Sequence, residues 1–185
     1  SYDFLKNIHI KKAIEDGSSF LKLKIMIKKE IVAWNLKEQD YNLNKTGIHL
    51  NAAEFNNLIE ADDTILIDMR NSYESEVGRF KTAICPKSNR SKDLINEATK
   101  ILKGKEASNI AMYCTGGIRC EKASSHLIKK GFKNVFQLNG GIIEYAHQVK
   151  KNKLKSNFIG KNFVFDDRLG ERVTNDIIAK CHLCD

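Results

Sequence analysis

The segment from Cys114 to Arg119 reads Cys-Thr-Gly-Gly-Ile-Arg and combines a thiol, two adjacent glycines and an arginine. A strand predicted over Asn109–Tyr113 precedes it, and a helix predicted from about Arg119 to Lys130 follows it. Because Gly116 and Gly117 carry no side chains, the backbone can curl and direct its N–H groups inward, and the helix dipole adds positive potential. This arrangement stabilises an anion, and the nearest candidate is the Cys114 thiolate. The segment therefore predicts a reactive thiol of lowered pKa.

The spacing between the cysteine and the arginine separates two classes of enzyme. A cysteine-dependent phosphatase needs its arginine at the sixth position after the nucleophile, where the guanidinium grips the phosphoryl oxygens. That position is Cys120 here, and the arginine comes one residue earlier, at Arg119. The shorter loop, Thr115–Arg119, makes a smaller cradle and favours sulfur chemistry. A buried cysteine that only closes an apolar strand is the alternative, which the paired glycines and the immediate helix disfavour.

The other cysteines call for separate interpretations. An odd total of five cysteines in 185 residues argues against a disulfide scaffold and favours a cytoplasmic protein. Cys120 is either a resolving thiol for an oxidised or persulfidated Cys114 or a packed helical cysteine. Cys85 is interpreted as structural. Cys181 and Cys184 form a CxxC pair, which supplies only half of the ligands of a structural zinc site, so zinc requires ligands from elsewhere.

Charge is concentrated in the two flanks of the chain. Residues 1–46 carry a net +3 (nine basic, six acidic), residues 47–148 carry +2 (fourteen, twelve) and residues 149–185 carry +3 (eight, five). Basic flanks beside a more neutral centre predict a polyanionic partner, and solvated lysines are the alternative. No apolar run reaches the length of a membrane span and no export signal opens the sequence, so no membrane partner is expected.

The first of three predicted segments, residues 1–46, is expected to be a partial α+β domain of the ferredoxin or acylphosphatase type. A short helix is predicted over residues 1–16. Apolar residues alternate with lysines over 21–28, which predicts a strand, and Ile31–Trp34 could pair with it. One helix and two strands make a poor independent domain.

Residues 47–150 alternate strand and helix, which is typical of a parallel α/β sheet with its site at the carboxyl ends of the strands. A tail, residues 151–185, is expected to contain a strand at Phe163–Phe165 and a short helix capped by Thr174. The elements predicted in the central segment are a helix capped by Asn51, a strand over Thr64–Met69, a helix capped by Ser91 that ends at Gly104, the strand and helix around Cys114, a strand over Asn134–Leu138 and a helix over Ile142–Lys150.

Four stretches of the chain carry a resemblance to known families. They read DMRNSYESEVGRF, MYCTGGIRCEKAS, LNGGIIEY and IGKNFVFDDRLGERVT. Residues 47–150 resemble the rhodanese (sulfurtransferase) domain, and all four stretches together resemble the tRNA uridine-34 hydroxylase family. The resemblance implies a rhodanese-like parallel sheet flanked by helices, preceded by the partial α+β unit. It also implies oxygen-dependent formation of 5-hydroxyuridine at the wobble position of tRNA, with Cys114 as the essential cysteine.

Further site residues follow from the resemblance alone. It implies that Asp68 and Arg70 support the active-site loop and that Arg79 lies near the mouth of the pocket. The resemblance implies molecular oxygen as co-substrate. No flavin, haem or iron-binding motif is visible, so no cofactor is identified. The expected partner is tRNA rather than DNA, together with a sulfur-donor protein if Cys114 forms a persulfide.

Two other functions stay open at this point. A sulfurtransferase would form a Cys114 persulfide and pass its sulfur to an acceptor. A non-catalytic rhodanese module would only bind a partner, but it would have no need of the intact Cys114. The basic flanks and the tail motif favour RNA as the substrate, because sulfur transfer alone does not require them.

Overall fold

The computed structural model of the chain describes residues 12–15 and 26–180. The predicted helix over 1–16 and the predicted strand over 21–28 therefore fall largely outside the described residues. Within this part of the chain there are five α-helices and seven β-strands, besides a 3-10 helix at Glu38–Asp40. The helices are α1 (Ala52–Ile59), α2 (Ser72–Val77), α3 (Ser91–Ile101), α4 (Ile118–Lys129) and α5 (Gly141–Asn152). The strands are β1 (Ile48–Leu50), β2 (Thr64–Asp68), β3 (Gly78–Phe80), β4 (Asn109–Tyr113), β5 (Asn134–Leu138), β6 (Phe158–Asn162) and β7 (Glu171–Arg172).

A four-stranded parallel sheet forms the centre of the fold, in the order β1-β5-β4-β2. Its central strand β4 is apolar because both faces are covered, as parallel sheets require. One face packs against α3 and α4 through residues such as Leu94 and Ala123, and the other packs against α1 and α5 through Phe55 and Tyr145. The predicted α/β sheet flanked by helices is confirmed.

The helix predicted to start after Asn51 begins as expected. Asn51 Oδ1 accepts hydrogen bonds from the N–H groups of Ala53 and Glu54, and Glu54 Oε2 accepts one from the Asn51 N–H at 2.9 Å. This reciprocal arrangement is a capping box. The cap predicted at Ser91 is wrong by one residue, because Ser91 is the first residue of α3 and Arg90 occupies the cap position.

The strand predicted at Ile31–Trp34 is wrong. This segment has no strand partner among the described residues, and the Trp34 N–H donates to the Val32 carbonyl at 3.2 Å in a turn. Trp34 is buried in the core beside α3 and α4, and Val32 packs against the same cluster. Packing onto the helical face, not strand pairing, therefore explains the apolar character of Val32 and Trp34, whereas Ile31 is exposed.

The tail also differs from its prediction. The strand is not at Phe163–Phe165 but at β6, which pairs antiparallel with β3 and β7. Gly78 permits the close approach, since a Cβ there would lie 2.0 Å from the Lys161 carbonyl oxygen. The helix predicted after Thr174 does not form. The Thr174 hydroxyl instead accepts a hydrogen bond from the Gly160 N–H at 2.9 Å and donates to Asp176.

Among the helices that the structure describes, none combines the length and apolarity needed to cross a membrane.

Candidate active site

Cys114 follows β4 directly, at the carboxyl edge of the parallel sheet. The Gly117 N–H donates a hydrogen bond to Cys114 Sγ at 3.1 Å, and Gly117 adopts a φ of +92° at the start of α4. A left-handed φ of this kind favours glycine. The loop thus directs a backbone N–H and the positive end of a helix towards the sulfur, as the sequence predicted.

The start of α5 holds the other side of this loop. The Ile142 N–H donates to the Cys114 carbonyl at 3.0 Å, and the Ile143 N–H donates to the Thr115 carbonyl at 3.2 Å. Gly141, with a φ of +68°, sits so close that a Cβ would lie 2.5 Å from the Cys114 carbonyl oxygen. The Gly140-Gly141 turn is therefore a structural clamp on the cysteine loop.

The surroundings of the sulfur favour its thiolate. Burial by itself would raise the pKa of Cys114, but a hydrogen bond from the Cys120 thiol, the charge of Arg119 and the backbone N–H groups of both residues outweigh it. Together these interactions lower the pKa of Cys114 to about 5. Burial and the neighbouring Cys114 sulfur raise the pKa of Cys120 well above its ordinary value, so Cys120 stays a protonated donor at neutral pH.

Alkylation of Cys114 is expected to reach half of its maximal rate at pH of about 5 and to stay constant above pH 7. Cys120→Ala should raise this midpoint to between about 6 and 7, since a hydrogen bond to a charged acceptor contributes about 1.5–3 kcal/mol. The rate is measured by iodoacetamide labelling and mass spectrometry of the peptide that contains Cys114, so that labelling of other cysteines does not interfere.

Cys120→Ser is the matched control, because its hydroxyl retains a hydrogen-bond donor and should leave the midpoint near 5. A midpoint close to that of free cysteine in the wild-type protein would contradict the thiolate assignment. Equal midpoints in wild type and Cys120→Ala would contradict the role of Cys120.

Arg119 is held by a carboxylate that site reasoning from the sequence missed. Glu74 on α2 accepts two hydrogen bonds from the Arg119 guanidinium, at 2.6 and 2.8 Å, and its carboxylate is fully buried. Arg119 also donates to Thr115 Oγ1 at 3.0 Å. Charge-assisted bidentate pairs are strong and fix geometry. The pair therefore fixes the end of the cysteine loop against α2.

A second buried ion pair lies directly behind the loop. Arg70 donates to the Asp68 carboxylate through Nε at 2.9 Å and through Nη2 at 2.6 Å, and both side chains are fully buried. The Tyr113 hydroxyl donates to the same carboxylate at 2.6 Å. Arg70 also donates to the Gly78 carbonyl at 2.7 Å. Asp68 and Arg70 thus fix the strand end that carries Cys114 and the start of β3.

A cleft of about 760 Å³ opens beside Cys114. This volume lies within the roughly 300–1,000 Å³ typical of small-molecule sites. Besides Cys114 and its loop, its wall includes Asn71 and Tyr73 of the α2 region, Ile118, and Phe165 of the tail.

Two residues singled out from the sequence, Arg79 and Cys85, are not among those that line this cleft. Arg79 is not among the residues that line it, and its guanidinium instead donates to the Ser75 carbonyl at 3.2 Å. Arg79 is thus turned towards α2, and its place near the mouth of the pocket stays a prediction. Cys85 is half-buried with its Sγ 3.8 Å from the Ala83 carbonyl oxygen, also outside the cleft. Cys181 and Cys184 lie outside the described residues. In the described part of the chain, no group of three or more His, Cys, Asp or Glu is placed to hold a metal ion.

Comparison with known proteins identifies the family. The rhodanese-like domain family matches residues 51–148. The chain belongs to the rhodanese-like domain family. It is also similar to a solved rhodanese-like domain from Anabaena sp., with 18% identity and a TM-score of 0.48 over 60% of this chain and 78% of that one.

Longer relatives share more of its sequence. The chain is 50% identical over 180 residues to a protein of Leptospira interrogans named tRNA uridine(34) hydroxylase, which covers 97% of this chain and 49% of the relative. A protein of the same name from Hamiltonella defensa is 46% identical over 182 residues, which are 98% of this chain and 51% of the relative. The predicted resemblance to these hydroxylases is confirmed. The chain spans about half the length of the curated relatives it matches.

Proposed function

We propose that this chain is the rhodanese-like part of a cytoplasmic enzyme that hydroxylates uridine 34 of tRNA, with Cys114 as the catalytic thiolate. The observation that carries the proposal is the Cys114 sulfur, which accepts the Gly117 N–H at 3.1 Å with its pKa lowered to about 5. It lines a cleft of suitable volume for a nucleotide. Sequence relatives at 43–50% identity bear the name of this activity.

Hydroxylation replaces the C5–H of uracil with C5–OH, which is a two-electron oxidation. We propose molecular oxygen as the co-substrate, as the resemblance to the hydroxylase family implies: one oxygen atom enters the C5–OH group, and the other leaves as water with two electrons and two protons from a thiol-type reductant. The residues of this chain supply an anionic sulfur, as thiolate or persulfide, and a rigid loop that keeps it at the cleft. The two flanks, each with a net charge of +3, would attract the tRNA backbone.

A sulfurtransferase is the second candidate. One observation favours it: the compact loop directs the Gly117 N–H at Cys114 Sγ, and the same donor could stabilise the terminal sulfur of a persulfide. A sulfur-donor protein would then load Cys114, and an acceptor would receive the sulfur.

Rescue of a deletion strain tests the two candidates. Cells that lack the gene are complemented with wild type or Cys114→Ala, and 5-hydroxyuridine and its derivatives are measured in digested tRNA by mass spectrometry. Wild type should restore these nucleosides, and Cys114→Ala should leave them at the level of the deletion strain because the nucleophilic sulfur is gone. Cys85→Ala, which removes a thiol outside the cleft, is the matched control and should rescue fully.

Levels that do not differ between the deletion strain and the rescued strains would contradict the hydroxylase proposal. A thiosulfate–cyanide assay on the same proteins would then measure sulfur transfer. Cys114-dependent thiocyanate formation without any effect on tRNA would support the second candidate.

A further inference from the structure

One buried amide in the wall of the Cys114 cleft is incompletely hydrogen-bonded. Asn71 is 5% exposed and lines the cleft, yet its Oδ1 has no hydrogen-bond partner among the residues that the structure describes. Its Nδ2 donates to the Tyr73 hydroxyl at 2.9 Å, and its backbone N–H donates to Glu74 at 3.0 Å. These two hydrogen bonds fix the amide in place, and its Oδ1 is left without a donor. Buried acceptors are nearly always satisfied, so this one points to a ligand.

Two polar side chains of the cysteine loop already have partners. Arg119 and Thr115 are bonded to Glu74 and to each other. The site therefore presents Asn71 Oδ1 as a buried side-chain acceptor without a protein donor. A ligand that fits must bring an N–H or O–H donor to this wall while its reacting atom faces Cys114.

An aromatic surface continues from the same wall. Phe165 lines the cleft and is 61% exposed. Its ring packs edge-to-face on Phe163 at 5.2 Å, and Phe163 packs on Tyr73 at 5.3 Å. Exposed aromatic rings at nucleic-acid sites bind unstacked bases through their faces. The rings of Phe165, Phe163 and Tyr73 therefore form a continuous row from the exposed Phe165 to the tyrosine that accepts a hydrogen bond from the Asn71 amide.

We propose that the cleft holds the uracil ring of the target nucleotide, with Asn71 Oδ1 accepting a hydrogen bond from its N3–H and Phe165 contacting the ring. The inference rests on the proposed function and deepens it, because it names the group that recognises the base. Uracil carries a donor at N3. Cytosine carries a lone pair at N3 and would place two acceptors against each other, so Asn71 selects uridine.

Binding measurements test this without requiring turnover. Fluorescence anisotropy is measured with the full-length protein carrying Cys114→Ala and anticodon stem-loop RNAs that differ only at position 34, as uridine, 3-methyluridine or cytidine. The uridine RNA should bind about 5- to 100-fold more tightly than the other two, the range expected for one well-directed base contact. In 3-methyluridine a methyl group replaces the hydrogen on N3, so this RNA tests the proposed hydrogen bond without a substitution at Asn71.

In a protein that carries both Cys114→Ala and Asn71→Ala, the affinities for the three RNAs should differ by no more than about twofold, because the acceptor is lost. Asn51→Ala is the matched control: Asn51 is also an N-cap residue with Glu at the third helical position, but it lies on α1 outside the cleft. It should leave the discrimination unchanged. Phe165→Ala should weaken binding of all three RNAs while preserving their ratio. Circular dichroism confirms that each variant is folded.

Equal affinities of the Cys114→Ala protein, with Asn71 intact, for the three RNAs would overturn the inference. The absence of binding would overturn it as well. Discrimination that persists in a folded Asn71→Ala variant would overturn it too. These results are separate from the rescue experiment. Discrimination with no Cys114-dependent 5-hydroxyuridine contradicts only the hydroxylation, whereas Cys114-dependent 5-hydroxyuridine without discrimination contradicts only the role of Asn71.

Discussion

Asp68→Ala is expected to lower the free energy of unfolding by about 3–5 kcal/mol, the usual cost of removing one partner of a buried ion pair. Asp68 and Arg70 are both fully buried, and the two form hydrogen bonds at 2.6 and 2.9 Å. Burial alone would lower the pKa of Arg70, but Asp68 raises it above the ordinary value, so the guanidinium stays charged. The variant would leave that charge without a counterion and the Tyr113 hydroxyl without its acceptor.

Urea denaturation followed by circular dichroism measures the change. Asp63→Ala is the matched control: this exposed carboxylate accepts one hydrogen bond, from Asn109 at 2.8 Å, and its loss should change stability by no more than about 0.5 kcal/mol. A loss below about 1 kcal/mol in Asp68→Ala would show that the pair is not the central support of this strand end.

Gly141→Ala is expected to cost about 2–5 kcal/mol and to raise the alkylation midpoint of Cys114. A left-handed φ costs a residue with a Cβ about 1–2 kcal/mol, and overpacking adds about 1–3 kcal/mol. Both apply at Gly141, whose φ is +68° and whose Cβ would lie 2.5 Å from the Cys114 carbonyl oxygen. Relief of this contact requires the cysteine loop and the start of α5 to separate, which would move the sulfur from its donors.

Gly131→Ala isolates the backbone contribution. Gly131 also has a positive φ, +97°, but a Cβ there would meet nothing within 4 Å. Its variant should lose about 1–2 kcal/mol in urea denaturation and keep the Cys114 midpoint. Equal losses in both variants, with no change in the midpoint for Gly141→Ala, would contradict the clamp between α5 and the cysteine loop.

The parts of the fold that the sequence predicted correctly depend on local signals. Asn109–Tyr113 and Asn134–Leu138 are strands with the predicted bounds because a strand buried on both faces must be a short apolar run. Asn51 and Glu54 predicted the start of α1 because both partners of a capping box lie within one turn. The loop from Cys114 to Gly117 was predictable for the same reason, since its geometry follows from consecutive residues.

The remaining features depend on contacts between distant residues. Glu74 pairs with Arg119, 45 positions away; the local Asn71-x-x-Glu74 pattern indicates a helix cap but gives no sign of this pairing. Ile31–Trp34 resembles a strand because it is apolar, but Val32 and Trp34 are apolar because they pack on the helical face. Phe163–Phe165 resembles a strand for a similar reason, although its rings are used for contacts with Tyr73 and the cleft.

The pairing of β3 with β6 limits where the chain can be truncated. The family match ends at residue 148, and a fragment cut there would contain every residue of the cysteine loop. It would nevertheless lack β6, leaving β3 as an open edge next to the Arg70 contact with the Gly78 carbonyl. Unpaired edges invite association between chains. A fragment that keeps both the β3–β6 pairing and the Phe165 wall of the cleft must therefore extend at least to Phe165, well past the end of the family match.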